Sequence, residues 1–279
     1  MRIAPKYTQW FAVTVLATAT LATLAVLVFI IVFVLKNGLP VVSFQFLFTN
    51  PEDMGRAGGI FPTLVGSVLL PLLAIAIAMP LGVGTAVYLT EYTRETRMTK
   101  VIRFGTDCLA GIPSIIFGLF GFIFFVVMLG FGWSLLSGGL TLAIMILPTI
   151  IRTSEEAIRA VPYAYREVSF SLGATRWETV TKVVLPNALP GIVTGVMLGV
   201  GRCISETAAV IFTAGLALRL PRSPLDSVRT MAVHFYTLAR EGISEENAYG
   251  TAAVLVVAVL LVNLTAYWLM HRFLARRTR

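Results

Sequence analysis

Five stretches of this chain contain no aspartate, glutamate, lysine or arginine, and their lengths constrain the fold more than any other feature. They cover residues 7–35, 57–90, 108–151, 183–201 and 247–271. A helix that crosses the hydrocarbon core of a bilayer needs about 20 predominantly apolar residues. Each stretch therefore predicts at least one membrane-spanning helix, and we expect an all-α integral membrane protein.

The third stretch is long enough for two spans, and its glycines between residues 130 and 139 offer a turn between them. The fourth continues to about residue 218 if Arg202 and Glu206 are tolerated within it. We therefore predict six transmembrane helices, at roughly 11–35, 64–90, 108–129, 135–151, 188–217 and 250–272. The first is too long for the apolar core of a removed signal peptide, so we expect a retained anchor. Residues 1–279 are expected to form a single transmembrane domain.

The placement of the basic residues predicts the orientation. If both termini are inside, fifteen lysines and arginines fall on the cytoplasmic side and six on the outer side. The inner ones are Arg2, Lys6, Arg94, Arg97, Lys100, Arg103, Arg152, Arg159, Arg166, Arg176, Lys182, Arg272, Arg276, Arg277 and Arg279, and the outer ones are Lys36, Arg56, Arg219, Arg222, Arg229 and Arg240. Cytoplasmic loops carry an excess of basic residues, so both termini are predicted to be cytoplasmic.

Composition excludes several other classes of protein. Only 13% of the 279 residues are charged, against about 25% in soluble domains. The net charge of +8 is explained by topology, and no compact basic domain is present that could bind nucleic acid. The two cysteines have no metal-ligand spacing, so we expect no metal site.

Two polar stretches are long enough to form structure outside the membrane. The outer one, about residues 219–249, contains SVRTMAVHFYTLAREG, which favours a short helix against the outer face. His234 lies in it, and a structural role is the more common one for a lone histidine. Glycines at positions 191, 195 and 199 favour close helix packing in the fifth span, either within the chain or against a second subunit.

The inner stretch, about residues 152–186, contains EVSFSLGATRWETVTKVVLPNALPG. Residues 167–172 favour a helix, which Gly173 can end in the left-handed conformation. Thr175 and Glu178 have the spacing of a capping box, which starts a second helix. We expect that helix to stop at Pro186, which lacks a backbone donor. Its mixed surface, with Trp177 among charged residues, can lie on the membrane or dock on another protein.

The spacing of Glu167, Gly173, Val183, Leu185 and Pro186 resembles the cytoplasmic loop of permease subunits of ATP-driven (ABC) importers. Val168 and Ser169 replace the two alanines usual in that loop. The resemblance implies the type I ABC importer permease fold and a coupling helix that fits a cleft in an ATPase subunit. The residues it assigns to coupling are Glu167, Gly173, Ala174, Thr175, Trp177, Leu185 and Pro186.

Four further motifs resemble permeases of phosphate-specific importers, and favour the shorter, PstA-like type. They are GVGTAVYLTEYT, GIPSIIFGLFGF, RTSEEAIRAVP and GRCISETAAVIFTA. The family pattern Arg-x-x-Gly-Glu-Thr-Ala-Pro starts here at Arg202, with Ser205 in place of the glycine and Ala209 in place of the proline. These two replacements predict a fifth helix that bends less than in the family.

Arg202 and Glu206 are four residues apart, so on a continuous helix they share a face and can pair. Each charge near the bilayer centre costs roughly 2.5–3.5 kcal/mol. One interpretation is a self-neutralising pair that fixes helix packing. The other is a translocation path, in which the planar guanidinium binds phosphate oxygens and Glu206 keeps the anion from binding too tightly.

No G-x4-G-K-[ST] motif for ATP binding is present, and nothing suggests hydrolytic chemistry. We expect a transporter subunit without enzymatic activity or cofactor of its own. The resemblance implies a pair of ATP-binding subunits that hold ATP and magnesium, a second, PstC-like permease forming a heterodimer, and an extracytoplasmic phosphate-binding protein. It also implies a bacterial cytoplasmic (inner) membrane. A permease for another oxyanion, a secondary transporter or channel, and a signalling scaffold stay open as alternatives.

Overall fold

The computed structural model describes residues 5–275 and consists almost entirely of helices. Five helices are long and apolar enough to cross a membrane: Gln9–Gly38, Phe61–Tyr92, Leu135–Arg159, Arg176–Ser205 and Glu245–Thr265. A sixth span arises if Arg97–Ala110 and Ser114–Met128, which meet at 101°, count as one. The predicted all-α fold is confirmed, and the predicted number of six apolar spans is reached when the bent pair is counted as the third. Arg2, Arg276, Arg277 and Arg279, counted above among the inner basic residues, lie outside the described residues.

The elements are α1 Pro5–Gly38, α2 Phe44–Phe48, β1 Pro51–Glu52, β2 Ala57–Gly58, α3 Phe61–Val87, α4 Arg97–Ala110, α5 Ser114–Gly121, α6 Leu135–Arg159, α7 Tyr163–Ser171, α8 Arg176–Thr179, α9 Leu185–Ser205, α10 Ala208–Thr213, α11 Met231–Arg240 and α12 Glu245–Ala275. Three π-helical turns extend them: Tyr88–Tyr92 after α3, Phe122–Met128 after α5, and Val180–Val184 between α8 and α9. The two short strands pair antiparallel, with Pro51 opposite Gly58.

Helices α3, α6 and α9 form the centre of the molecule. Leu70 of α3, Ile146 and Ile150 of α6 and Cys203 of α9 are all buried in one apolar cluster. The glycine stripe of α9 packs against α6: a Cβ at position 191 would lie 2.6 Å from the Ala157 Cβ. Of the two alternatives for this stripe, the structure thus shows close packing within the chain.

The prediction of one straight third helix at 108–129 is wrong. Cys108 belongs to α4, and the chain then turns by 101° before α5 begins at Ser114. Pro113 stands at the bend, and a proline disfavours the helical conformation of the residue before it. The fourth helix, α6, also runs further than predicted, to Arg159.

Two predictions about the fifth span are also wrong. The helix that begins at Arg176 does not stop at Pro186 but continues to Ser205 as one span of 30 residues. The π-helical turn Val180–Val184 is followed by Leu185, and Pro186 lies within the first two positions of α9, where a missing backbone N–H is tolerated. At the other end the helix stops at Ser205, well before the predicted residue 217.

One end of the molecule, which is the outer end in the predicted orientation, is closed by a small cap. We use "outer cap" for the β1–β2 hairpin, the segment 226–230, α11 and the first turn of α12. The predicted short outer helix is confirmed as α11, which is mostly buried. The Ser67 hydroxyl of α3 accepts a hydrogen bond from the Met231 N–H (2.7 Å), and the Asn247 side chain donates to the Gly55 and Arg56 carbonyls (3.0 Å each).

Candidate translocation and coupling sites

Residues 163–186 form a helix, a sharp turn and a second helix, which we call the inner elbow. Gly173 has φ +83°, so the predicted left-handed turn is confirmed. The predicted capping box is confirmed as well: the Glu178 N–H donates to Thr175 Oγ1 (3.3 Å), and the Thr175 N–H donates to Glu178 Oε2 (3.0 Å). Because both contacts are local in sequence, the residues between 173 and 178 define this turn by themselves.

Arg166 anchors the first limb of the elbow to the rest of the protein. Its guanidinium donates to both carboxylate oxygens of Glu91, at 2.6–3.2 Å, and to the backbone carbonyls of Val161 (2.8 Å) and Ile158 (3.1 Å). The side chains of Arg166 and Glu91 are only 10% and 11% exposed. Charge-assisted bonds shielded from water are stronger than exposed ones, so α7 is fixed to the inner ends of α3 and α6.

A second tie holds the two limbs of the elbow together. The hydroxyls of Ser169 on α7 and Thr179 on α8 lie 2.8 Å apart, and both residues are buried. The sequence predicted no contact between these two residues. Ser169 occupies one of the two positions where the related loops carry alanine, so this departure from the pattern has a structural role here.

Most of the predicted coupling residues lie together on the exposed side of the elbow. Glu167, Gly173, Thr175 and Trp177 are exposed and Ala174 is half-buried. Trp177 and Leu172 stand out, with 64% and 83% of their surface exposed. Large apolar side chains among charged ones at a free surface are typical of protein contact sites.

Leu185 and Pro186 are not part of that exposed surface. Leu185 packs against an inner apolar cluster that contains Val184, Ala188 and Ile158. Both residues are half-buried in the continuous helix that leads from the elbow into the membrane. Their position connects the elbow to the fifth span and does not place them at a partner surface.

The second predicted site lies where the fifth span breaks. The Ser205 hydroxyl donates to the carbonyls of Gly201 (3.0 Å) and Arg202 (3.2 Å), and α9 ends at this residue. Glu206 then has an extended backbone, with φ −73° and ψ 128°. A serine that binds carbonyls of the preceding turn weakens the helix there, so Ser205 favours the end of α9 at this position.

Glu206 follows the end of α9, so the prediction that it shares a helix face with Arg202 is wrong. Its carboxylate Oε1 accepts a hydrogen bond from the Ala209 N–H (3.2 Å) and so caps α10. Glu206 is buried and Arg202 half-buried. Among residues 5–275, no ion pair joins the Arg202 guanidinium to a carboxylate. The break therefore presents a cation in the last turn of one helix and a carboxylate at the start of the next.

The outer cap contains a buried cation next to a buried histidine. Arg229 donates from Nε to the Leu216 carbonyl (2.9 Å), and its Nη1 lies 3.4 Å from His234 Nδ1. Burial, and then the nearby Arg229 charge, lower the pKa of His234 to about 4. Burial also lowers the pKa of Arg229. The imidazole is therefore neutral at neutral pH, and Nδ1 accepts from the arginine.

An open hollow of about 800 Å³ lies at the same end as the outer cap, lined by Arg219, Arg222, Asn50 and Asp226 among others. The Asp226 carboxylate accepts hydrogen bonds from the backbone N–H groups of Arg222 (2.7 Å) and Ser223 (3.0 Å). These bonds lower the pKa of Asp226. The two arginine side chains are thus left exposed around the hollow.

Sequence comparison finds a family match over residues 78–279, with the family described as binding-protein-dependent transport system inner membrane component. A probable ABC transporter permease protein, YqgI of Bacillus subtilis, is 38% identical, with 88% of this chain and 89% of the relative covered. The phosphate transport system permease protein PstA 1 of Mycobacterium tuberculosis is 37% identical, with 82% and 75% covered. PstA of Xylella fastidiosa is 34% identical, with 85% and 84% covered.

Solved structures with a similar fold are also ABC transporters. A bacterial alginate ABC transporter, solved with an alginate pentasaccharide-bound periplasmic protein, aligns with a TM-score of 0.71 over 95% of this chain and 96% of that one, at 15% identity. The MetNI methionine ABC transporter in an inward-facing conformation aligns with a TM-score of 0.61 over 77% and 94%, at 21% identity. At these identities the likeness concerns the fold alone.

Proposed function

The chain belongs to the family of binding-protein-dependent transport system inner membrane components, and from this membership we propose that it is a permease subunit of an ATP-driven phosphate importer. It is a multi-pass membrane protein with the type I ABC importer permease fold. The observation that carries the phosphate assignment is Arg202, a half-buried cation at a helix break with no carboxylate partner among the described residues. The relatives that are named phosphate permeases support the same cargo.

In this proposal Arg202 binds the passing anion. Its planar guanidinium presents paired donors that match phosphate oxygens. The cation lies in the last turn of α9, where the helix dipole stabilises a positive charge before the anion arrives. Glu206 is four residues further on, where its carboxylate repels the anion and favours its release.

The inner elbow is proposed to dock on the ATPase. Trp177 and Leu172 supply the apolar contacts, and Glu167, Gly173, Ala174 and Thr175 complete the surface. ATP and magnesium are expected in that partner and not in this chain. Movement of the elbow would reach α3 and α6 through the Arg166–Glu91 tie. It would reach the helix break through the continuous span, in a rigid-body gating motion around the central path.

The remaining partners follow from the same proposal. A second, PstC-like permease completes the path as a heterodimer, a pair of ATP-binding subunits docks inside, and a phosphate-binding protein docks outside. The proposed location is the bacterial inner membrane with both termini cytoplasmic, as the distribution of basic residues predicts. The hollow around Arg219 and Arg222 then faces the binding protein.

The first experiment measures labelled phosphate uptake in energised cells that express the complete transporter with and without this chain. Uptake that requires the chain, and that excess sulfate or molybdate does not suppress, supports phosphate as the cargo. Uptake that sulfate or molybdate suppresses points to an importer for another oxyanion. Uptake that is indifferent to the chain, with the protein present in the membrane, contradicts the phosphate assignment.

A second experiment tests Arg202 directly. R202M should reduce uptake at least a hundredfold while the protein level stays normal, because an isosteric apolar side chain cannot bind the anion. R202K should retain part of the uptake. R240M removes an exposed arginine that stacks over Tyr236, and it should transport normally. Normal uptake by R202M would refute the role of Arg202.

A third experiment separates an ABC permease from a secondary transporter or channel. The tagged chain should co-purify with an ATP-binding subunit, and W177A should weaken this association by more than tenfold. W133A is the matched control, since Trp133 is also exposed (56%). It lies just before the first residue of α6, whereas the elbow follows the last residue of α6. A transport-competent chain that purifies without any ATPase would contradict the docking proposal.

A further inference from the structure

Helix α4 carries an apolar surface that nothing in the described chain covers. Met98, Val101 and Phe104, three residues apart along the helix, are 67%, 63% and 70% exposed. The opposite face is engaged: Thr99 is buried, and Arg103 contacts Glu155 of α6 at 2.8 Å. A second contact, between Arg152 and Asp107 (3.3 Å), holds the same face to α6. The helix is therefore fixed on one side and free on the other.

The charges beside this free surface are positive. Arg94, Arg97 and Lys100 lie just before and within the first turn of α4, and all three are exposed. None of them forms an ion pair with another described residue, whereas the neighbouring Glu95 contacts Arg103 at 3.5 Å. A helix with an exposed apolar face and unpaired basic residues at its edge has the composition of helices that lie on anionic membranes.

The geometry of the bend points in the same direction. Helix α4 lies at 101° to the helix that follows it, so if the following helix crosses the bilayer, α4 runs along the membrane plane. That following helix, Ser114–Met128, has 15 residues and a length of about 22 Å at 1.5 Å per residue. This is about 8 Å short of a hydrocarbon core of about 30 Å. Interfacial helices sit about 5–10 Å deep, which accounts for the difference.

From these three observations we propose that α4 is an interfacial helix that binds anionic phospholipids of the inner leaflet. Met98, Val101 and Phe104 enter the boundary between headgroups and acyl chains, and Arg94, Arg97 and Lys100 bind the headgroup phosphates. Because Arg103 and Asp107 join α4 to α6, the bound lipids support the inner end of α6 next to the elbow. The inference requires a membrane location but not phosphate as the cargo.

Depth of immersion tests the apolar half of the proposal. A spin label at V101C, in the complete transporter reconstituted in vesicles, should collide readily with oxygen dissolved in lipid and little with a water-soluble nickel chelate. The control is L172C, an apolar position on the elbow that is even more exposed than Val101 and that oxygen in lipid should not reach. A label at position 101 that is open to the nickel chelate, or shielded from both reagents by a second subunit, overturns the proposal.

Lipid charge tests the basic half. Each basic residue near an anionic surface contributes about 1 kcal/mol. R97Q/K100Q should therefore lower the equilibrium ratio of immersed to water-exposed label in phosphatidylglycerol vesicles about 30-fold. The comparison uses vesicles of phosphatidylcholine with and without phosphatidylglycerol. R219Q/R222Q removes two arginines from the outer side and should leave immersion unchanged. Equal immersion of R97Q/K100Q and the parent in both vesicles would refute lipid binding, and because the readout is not transport, it does not depend on the proposed cargo.

Discussion

The two ends of this molecule stabilise buried polar groups in opposite ways. At the inner end, charges that are shielded from water are paired: Arg166 with Glu91, which are nearly buried, and Arg103 with Glu155, which are half-buried. In the outer cap, Arg229 is buried without a carboxylate at ion-pair distance among the described residues, and its neighbour His234 is neutral. Paired ions keep their charge over a wide pH range, whereas a buried imidazole beside a cation is stable only in its neutral form.

The difference predicts which change destabilises each end of the molecule. The inner end fails when one partner of an ion pair is removed, because the other charge is then left buried. The outer cap fails when a proton is added, because two positive charges then meet in a buried place.

Removal of Arg166 should have the largest effect. R166A leaves the Glu91 carboxylate buried and unpaired, and the expected loss of stability is about 3–5 kcal/mol. The matched control is R152A, whose ion pair with Asp107 is 66% and 61% exposed and contributes at most about 1 kcal/mol. Thermal unfolding of the purified complex measures both variants. Similar losses of stability in the two variants would show that the buried pair contributes no more than the exposed one.

Acidification should open the outer cap and spare the inner elbow. Above the ordinary histidine pKa of 6.5, His234 is neutral in both the closed and the open cap, so no stability is lost. As the pH falls from 6.5 to about 4, only the open state takes up the proton, and the cap loses about 3 kcal/mol. Below about 4 the closed state is protonated as well, and the loss levels off.

Hydrogen exchange measures this prediction, after correction for the intrinsic effect of pH. Peptides from residues 231–240 should lose protection between pH 7 and pH 4, and peptides from residues 163–171 should keep it. H234Q should remove most of the pH dependence. Equal loss of protection in both regions would show that the two ends do not differ.

The tie between the two limbs of the elbow should have an intermediate effect. T179V leaves the Ser169 hydroxyl buried without a partner, with an expected cost of about 1–3 kcal/mol. The double variant S169A/T179V removes both polar groups and should recover part of that loss. Chemical unfolding of the two variants and of S169A gives the coupling energy. A double variant that loses the sum of the single losses would mean that the hydroxyls act independently.

Two glycines with left-handed backbones, one at each end, should give the smallest effects on stability. Gly173 has φ +83° and Gly242 has φ +63°, and nothing lies within 4 Å of an added Cβ at either. G173A and G242A should therefore each cost about 1–2 kcal/mol. Only G173A should also reduce uptake, because it alone alters the surface proposed to dock the ATPase. Equal uptake by the two variants would argue against a coupling role for this turn.

Features set by local sequence could be predicted well. The charge-free stretches gave the number and approximate position of the spans, because burial in lipid requires continuous apolar runs. The turn at Gly173 and the capping box that starts at Thr175 also depend only on neighbouring residues. The bend before α5 was missed although Gly111 and Pro113 mark it, because the apolar character of the third stretch continues across the break.

Features set by distant contacts could not be predicted. Glu91 and Arg166 are 75 positions apart, and nothing in their surroundings shows that they meet. The fifth span continues through Pro186 after a π-helical turn, and such a turn has no clear sequence pattern. The break after Ser205 was obscured because the family glycine and proline are both replaced there. The charges of Arg202 and Glu206 indicated a candidate site, but the sequence did not show how the two side chains lie relative to each other.

The continuity of the span from Arg176 to Ser205 has a mechanical consequence. The helix has 30 residues, and as a rod of about 45 Å it reaches from the elbow turn to the break beside Arg202. A rotation of about 10° at the elbow would displace the far end of such a lever by about 8 Å. Small movements of a docked motor subunit would therefore be amplified, and the residue proposed to hold the anion lies close to the end that travels furthest.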